Sequence, residues 1–144
     1  MNLLEFIKKS PKAELHLHIE GTLEPEQMFL FAKRNNVQTP FKNINEAKEA
    51  YNFNNLESFL KIYYEGAKVL LKEKDFFELT WAYALKCKED NIIHTEIFFD
   101  PQTHTNRGIS FDIIINGIYK ALKKAFRKPY IAFKRPLKGL IASL

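Results

Sequence analysis

Two histidines two residues apart, His16 and His18, sit in the alternating run Ala13-Glu14-Leu15-His16-Leu17-His18-Ile19-Glu20-Gly21. In an extended chain successive side chains point to opposite sides. The spacing therefore puts Glu14, His16, His18 and Glu20 on one face, and Leu15, Leu17 and Ile19 on the other. Neutral imidazole is the commonest zinc ligand, and two of them on one strand face can grip a single ion. An alternating strand can equally have one plain solvated face, and the pattern alone leaves both readings open. Solvated faces are usually built from Lys, Thr or Ser, which makes a pair of histidines flanked by glutamates an unusual choice. Gly21 and Thr22 stop the strand, so the pair falls at its carboxyl end, where α/β barrels keep their chemistry.

A catalytic zinc site normally has three protein ligands and an open position for water, and two such ligands are visible here. The remaining histidines, His94 and His104, have no partner at ligand spacing. His94 falls inside a second strand and reads as a satisfied core or edge residue. His104, just past that strand, would lie on the same side of a barrel as the His16/His18 pair. It is the better candidate for an active-site neighbour, a surface loop being the plainer alternative.

The elements that must position these residues follow from periodicity and punctuation. Leu3 to Lys9 is a short amphipathic turn or helix, ended by Ser10-Pro11. Thr22 is placed to cap a helix through Pro25, Met28 and Phe31 that ends at Asn35-Asn36. A loop with one short helix near Glu46 to Tyr51 leads to a longer helix from about Asn55 to Leu71. The stripe Leu56, Phe59, Leu60, Tyr63, Ala67 and Leu70 of that helix reads as core. Asp75 with Glu78 gives an acidic variant of the capping box, and the helix it opens runs to Asp90-Asn91. Ile92 to Asp100 is a second strand, Ser110 caps a last clear helix, and Gly139 to Leu144 is a third strand candidate. Strands separated by helices imply a parallel sheet, and the expected fold is an incomplete TIM (β/α)8 barrel comprising its first two or three strands, since a complete one takes roughly 250 residues. The last strand would then leave an open edge, available to a partner or to self-association.

The chain has 144 residues, 46% hydrophobic and 27% charged, an ordinary globular composition. No stretch approaches the roughly 18 apolar residues of a membrane span, and no basic leader precedes an apolar run, so the expectation is a cytoplasmic protein without a membrane partner. The lone Cys87 reads as a small core residue. The formal charge of +5 is uneven: residues 123–144 hold 7 basic residues and no acid, while residues 1–122 are net −2. The basicity belongs to a tail, so a small basic nucleic-acid-binding module is the weakest of the functional alternatives.

Pro11 to Leu23, with its Glu14-Leu15-His16-Leu17-His18 core, resembles the amino-terminal signature of the adenosine deaminase family, a zinc-dependent branch of the amidohydrolase barrels. Glu96-Ile97-Phe98-Phe99-Asp100-Pro101-Gln102-Thr103-His104-Thr105 is similar to the adenine deaminase subgroup. The resemblance implies that His16 and His18 are ligands of one Zn2+ and that His18, Glu20 and His104 are candidate substrate-binding residues. The implied reaction is hydrolytic deamination at C6 of a purine base or nucleoside, adenine and water giving hypoxanthine and ammonia. Glu20 stands where nucleoside-specific members commonly have aspartate, and its extra length would fill space that ribose needs. The family's third zinc histidine, its His-Ala-Gly-Glu acid, a further histidine and its paired aspartates do not occur in this sequence, so no catalytic acid is identified. The resemblance thus implies an amino-terminal part over residues 1–125, followed by a departing basic tail over 126–144. Such a chain is expected to be inactive alone: a fragment, or one half of a split enzyme that needs a second chain.

Overall fold

The computed structural model describes residues 2–126 and 140–142. The basic run 127–139 therefore lies outside the described residues.

Helix α1 (Leu3–Lys9) starts where the Asn2 side chain accepts the Glu5 backbone N–H. Strand β1 (Lys12–His18) follows and ends two residues before Gly21 would stop it, because Ile19–Thr22 winds into a 3-10 turn. Helix α2 (Pro25–Asn35) has proline in its first turn and ends on Asn36, whose left-handed φ of 54° suits a short polar side chain at a helix end. Thr22 does not cap it; its hydroxyl donates to Ile19 O and closes the 3-10 turn instead. Helices α3 (Ile44–Ala50) and α4 (Leu56–Ala67) are capped by Asn43 and Asn55, and the hydroxyl of Ser58 answers the Asn55 cap.

Helix α5 (Glu73–Glu89) begins two residues before Asp75. The Asp75 carboxylate reaches back to the N–H groups of Leu71 and Lys72, and also accepts from Arg34 and Asn35 at the end of α2. A residue expected to cap one helix thus locks two helix ends together. Strand β2 (Ile92–Phe99), helix α6 (Pro101–Thr105), helix α7 (Phe111–Phe126) and strand β3 (Leu140–Ala142) complete the described chain.

The strands pair in the order β1-β2-β3, all parallel. Alternation in β2 sends Thr95, Ile97 and Phe99 into the core and leaves His94, Glu96 and Phe98 on the opposite face. The core under the sheet is built from Phe31, Phe76, Phe99, Ile19, Leu79 and Ile114. Cys87 belongs to this core, as its place in the helical pattern predicts.

Two expectations fail here. Leu15 is 61% exposed, although the alternation sets it on one apolar face with Leu17 and the buried Ile19. The cause is a break in register between Glu14 and Leu17, with His16 at φ 58°, so β1 does not alternate strictly through the histidines. The stripe read as core along α4 is core at its carboxyl end alone, where Ala67 and, just past the helix, Leu70 are buried. Ile62, Gly66 and Ala67 are the buried residues of that helix, while Leu56 is 69% exposed and Phe59, Leu60 and Tyr63 are half-buried.

Candidate metal centre

At the carboxyl ends of β1 and β2 a cavity of about 370 Å³ is lined by His16, His18, Gly21, Phe59, Tyr63 and Asp100, among others. The irregularity in β1 turns the His16 ring onto Phe98, with centroids 4.3 Å apart and planes inclined by 13°. His18, one register step on, lies with its ring centroid 5.5 Å from that of His16. The two imidazoles expected to act together therefore share one cavity wall.

Asp100, the last residue before α6, lines the same cavity beside His18. Its Oδ1 is 3.1 Å from His18 Nδ1, and its Oδ2 accepts a 2.5 Å hydrogen bond from the Tyr63 hydroxyl. Burial, the negative charge of Glu20 and the bond to Asp100 push the Tyr63 phenol far above its ordinary value, so it remains a donor.

Glu20 and His104 are brought together, but beneath the cavity rather than in its wall. Both side chains are fully buried, with His104 Nε2 3.0 Å from Glu20 Oε1. The same oxygen accepts the Asp100 backbone N–H at 2.9 Å, and Glu20 Oε2 lies 3.2 Å from the Tyr63 hydroxyl. His104 is not on a surface loop. Pro101 at the first position of α6 starts a helical turn that tucks the imidazole under the sheet end, edge-on to Phe76 at 4.9 Å. Arg107 fixes its other nitrogen, with Nη2 2.9 Å from His104 Nδ1, while further guanidinium bonds run to the carbonyls of Thr103, Lys68 and Ala67. His94 stands apart, half-buried and 3.8 Å from Glu96.

Asp100, Tyr63 and Arg107 are the site residues that the motif reading misses. Asp100 had a signal, an acid at the carboxyl end of a parallel strand followed by proline, which is where barrel enzymes place functional groups. Tyr63 and Arg107 had none, because their partners lie at least 37 residues away in the chain or on an α6 turn not foreseen.

The donor set suits a divalent ion. Two imidazoles and a carboxylate face one cavity, and one imidazole is held at Nδ1 by that carboxylate, which leaves Nε2 as the nitrogen with a lone pair. Ligand atoms of His18, Glu20 and Asp100 also fall within 4.8 Å of one another. Of those three, Glu20 already accepts bonds from Asp100 N–H and His104, and Asp100 is engaged with His18 and Tyr63, so the donors turned to the cavity are the imidazoles of His18 and of His16, which lines the same cavity but stands outside that group.

The family model described as adenosine deaminase matches residues 11–135. The chain belongs to the adenosine deaminase family. It is 64% identical over 122 residues to an adenine deaminase of Wolinella succinogenes, covering 85% of this chain and 37% of that protein. It is 60% identical over 125 residues to one of Acinetobacter baylyi, covering 87% and 38%. Among solved structures it matches an adenine deaminase of Arthrobacter aurescens with a TM-score of 0.82 and 42% identity, over 92% of this chain and 39% of that one. A Burkholderia ambifaria amidohydrolase with bound Zn, 21% identical with a TM-score of 0.77, shares the fold. The described residues are thus part of a TIM barrel, as the strand and helix order predicts. The chain spans little more than a third of the length of the curated relatives it matches. No helix among the described residues is long and apolar enough to cross a membrane.

Proposed function

We propose that this family member supplies the metal-binding strand of a zinc-dependent purine deaminase, the substrate being adenine. The observation that carries the reading is the convergence of His16 and His18 on one cavity that Asp100 also lines, in contact with His18. Its similarity to two adenine deaminases, at 60% and 64% identity, supports the choice of substrate. A zinc ion held there supplies a Lewis acid and an activated water for the hydrolytic exchange of the C6 amino group for oxygen, with release of ammonia.

The chain's own residues have distinct roles in this reading. His16 and His18 hold the ion, and Asp100 holds the His18 ring. Phe59 and Tyr64 line the same cavity and offer apolar surface to a planar base. Glu20 and His104 sit too deep to touch substrate and act through Asp100. The remaining ligand and the proton donor are assigned to the part of the relatives' sequence that this chain does not span.

A chimera tests the proposal: residues 1–122 of this chain joined to the remainder of the Wolinella succinogenes relative, assayed for ammonia release. The chimera is expected to convert adenine to hypoxanthine, and His16→Ala or His18→Ala to cost at least about 1,000-fold in kcat/KM, or roughly 4 kcal/mol of transition-state stabilisation. A chimera that leaves adenine untouched and deaminates only adenosine overturns the substrate. Unaltered turnover in both histidine variants overturns the site.

A further inference from the structure

We infer that a buried chain of hydrogen bonds, Arg107 to His104 to Glu20 to Asp100, fixes the tautomer and ring orientation of His18, which makes Asp100 and Arg107 positioning residues of the metal centre. The inference deepens the proposed function and rests on its reading of His18 as a ligand.

The direction of each bond follows from what its atoms can do. A guanidinium only donates, so His104 Nδ1, 2.9 Å from Arg107 Nη2, must accept. A neutral imidazole that accepts at Nδ1 carries its proton on Nε2, so His104 donates to Glu20 Oε1 at 3.0 Å. Glu20 Oε1 also accepts the Asp100 N–H at 2.9 Å, which pins the backbone of Asp100 at the mouth of the cavity. Tyr63 has one phenolic proton and two carboxylates in reach. It lies at 2.5 Å from Asp100 Oδ2 and 3.2 Å from Glu20 Oε2, so the stronger bond goes to Asp100. Asp100 is left with Oδ1 as an acceptor facing His18 Nδ1 at 3.1 Å. His18 must then hold its proton on Nδ1, and Nε2 keeps the lone pair that a metal requires.

Burial makes the arrangement specific. Glu20 and His104 have no exposed side-chain surface, so no solvent can replace a lost partner. Arg107 is anchored by the carbonyls of Lys68 and Ala67 at the end of α4, the helix that also carries Tyr63. The end of α4 and the turn that leaves α6 therefore meet at this chain of bonds, and both bear on one imidazole.

The test is two-bond proton–nitrogen correlation on the full 144-residue chain, labelled with 15N-histidine and free of metal, at about pH 8, where an ordinary imidazole is neutral. The expected result is the Nδ1–H tautomer at His18 and the Nε2–H tautomer at His104. Asp100→Asn offers an amide donor to His18 Nδ1 and is expected to flip His18 to the Nε2–H form. Zinc affinity, measured by competition with a chromophoric chelator, should fall about 10- to 100-fold in that variant. Tyr63→Phe and Arg107→Lys should give smaller losses of the Nδ1–H population, and circular dichroism reports whether each variant folds. An Nε2–H tautomer at His18 in the unmodified chain, or fast averaging of the two forms, overturns the proposal even if no variant folds. The two readings separate cleanly. A fixed Nδ1–H His18 in a chain that binds no zinc upholds the positioning and removes the metal centre, whereas zinc binding with an averaged tautomer does the reverse.

Discussion

His16 combines a backbone φ of 58° with a place in the middle of a parallel strand, a conformation that costs a residue with a Cβ about 1–3 kcal/mol. What the distortion achieves is a change of aim: the His16 ring comes to rest on Phe98 and beside His18. Strain of this kind predicts that His16→Gly is more stable than His16→Ala by up to about 1 kcal/mol, because glycine alone adopts the angle without penalty. Both variants should lose zinc binding equally, and urea unfolding with a zinc titration of each is the check. Equal stabilities would mean that the backbone relaxes when the ring is removed. The pair itself was legible in the sequence, since histidines on a short alternating strand have few structural uses. The depth of Glu20 and His104 was not. Alternation extrapolated past His18 puts Glu20 on the same open face, but the 3-10 turn at Ile19–Thr22 carries it underneath, and only the packing of α6 shows that His104 follows. Cys87 was legible for the opposite reason, as a small apolar group on a helix stripe. Burial pushes its thiol up to about 11. It should therefore react with iodoacetamide at about pH 8 at least ~100-fold more slowly in the folded chain than in guanidinium chloride.

At the scale of elements, helices and strands were read well where the signal was local: the Ser110 cap of α7, the proline in the first turn of α2 and the β-branched run of β2. They were misread where a side chain serves two elements. Asp75 looks like a cap because it stands before an apolar run, yet its carboxylate joins the end of α2 to the start of α5. Asp75→Ala removes all those bonds and strands the Leu71 and Lys72 N–H groups and the Asn35 amide, while Arg34 keeps its pair with Glu78, so it should cost about 1–3 kcal/mol in urea unfolding, as leaving buried donors without an acceptor does. Asp75→Asn, which retains acceptor capacity, should cost less. Gly117 marks another junction of the same kind. A Cβ there would fall 2.5 Å from Glu73 O and 2.7 Å from Phe76 Cβ, so α7 can lie this close to α5 only because the position carries no side chain. Gly117→Ala gains helix propensity on α7 yet should lose about 1–3 kcal/mol overall, because the two helices must part. A variant more stable than the parent would show that the helices separate at no cost.

Taken whole, the described molecule has its candidate metal centre at the carboxyl ends of parallel strands and its core beneath them, and several of its acidic protons are held by that core. Burial drives the Tyr51 phenol up to about 12 and the Cys87 thiol up to about 11, and raises Tyr63 and Tyr83 further still. An acid whose folded value lies above its unfolded one keeps its proton in the fold and releases it on unfolding. The folded state then binds more protons than the unfolded state, and stability falls as pH rises. The contribution is fully present below the unfolded values, roughly 8.5 for a thiol and 10 for a phenol, and is lost above them. Between about pH 9 and 11 the unfolding free energy should therefore drop, with a slope of up to ~1.4 kcal/mol per pH unit for each group involved. Urea unfolding followed by circular dichroism across this range measures the slope. Tyr63→Phe, which removes one such proton, should flatten it by about one proton's worth relative to the parent chain. A midpoint that stays level to pH 11 would mean that these phenols ionise inside the fold, and with them would go the picture of Tyr63 as a fixed donor between Asp100 and Glu20.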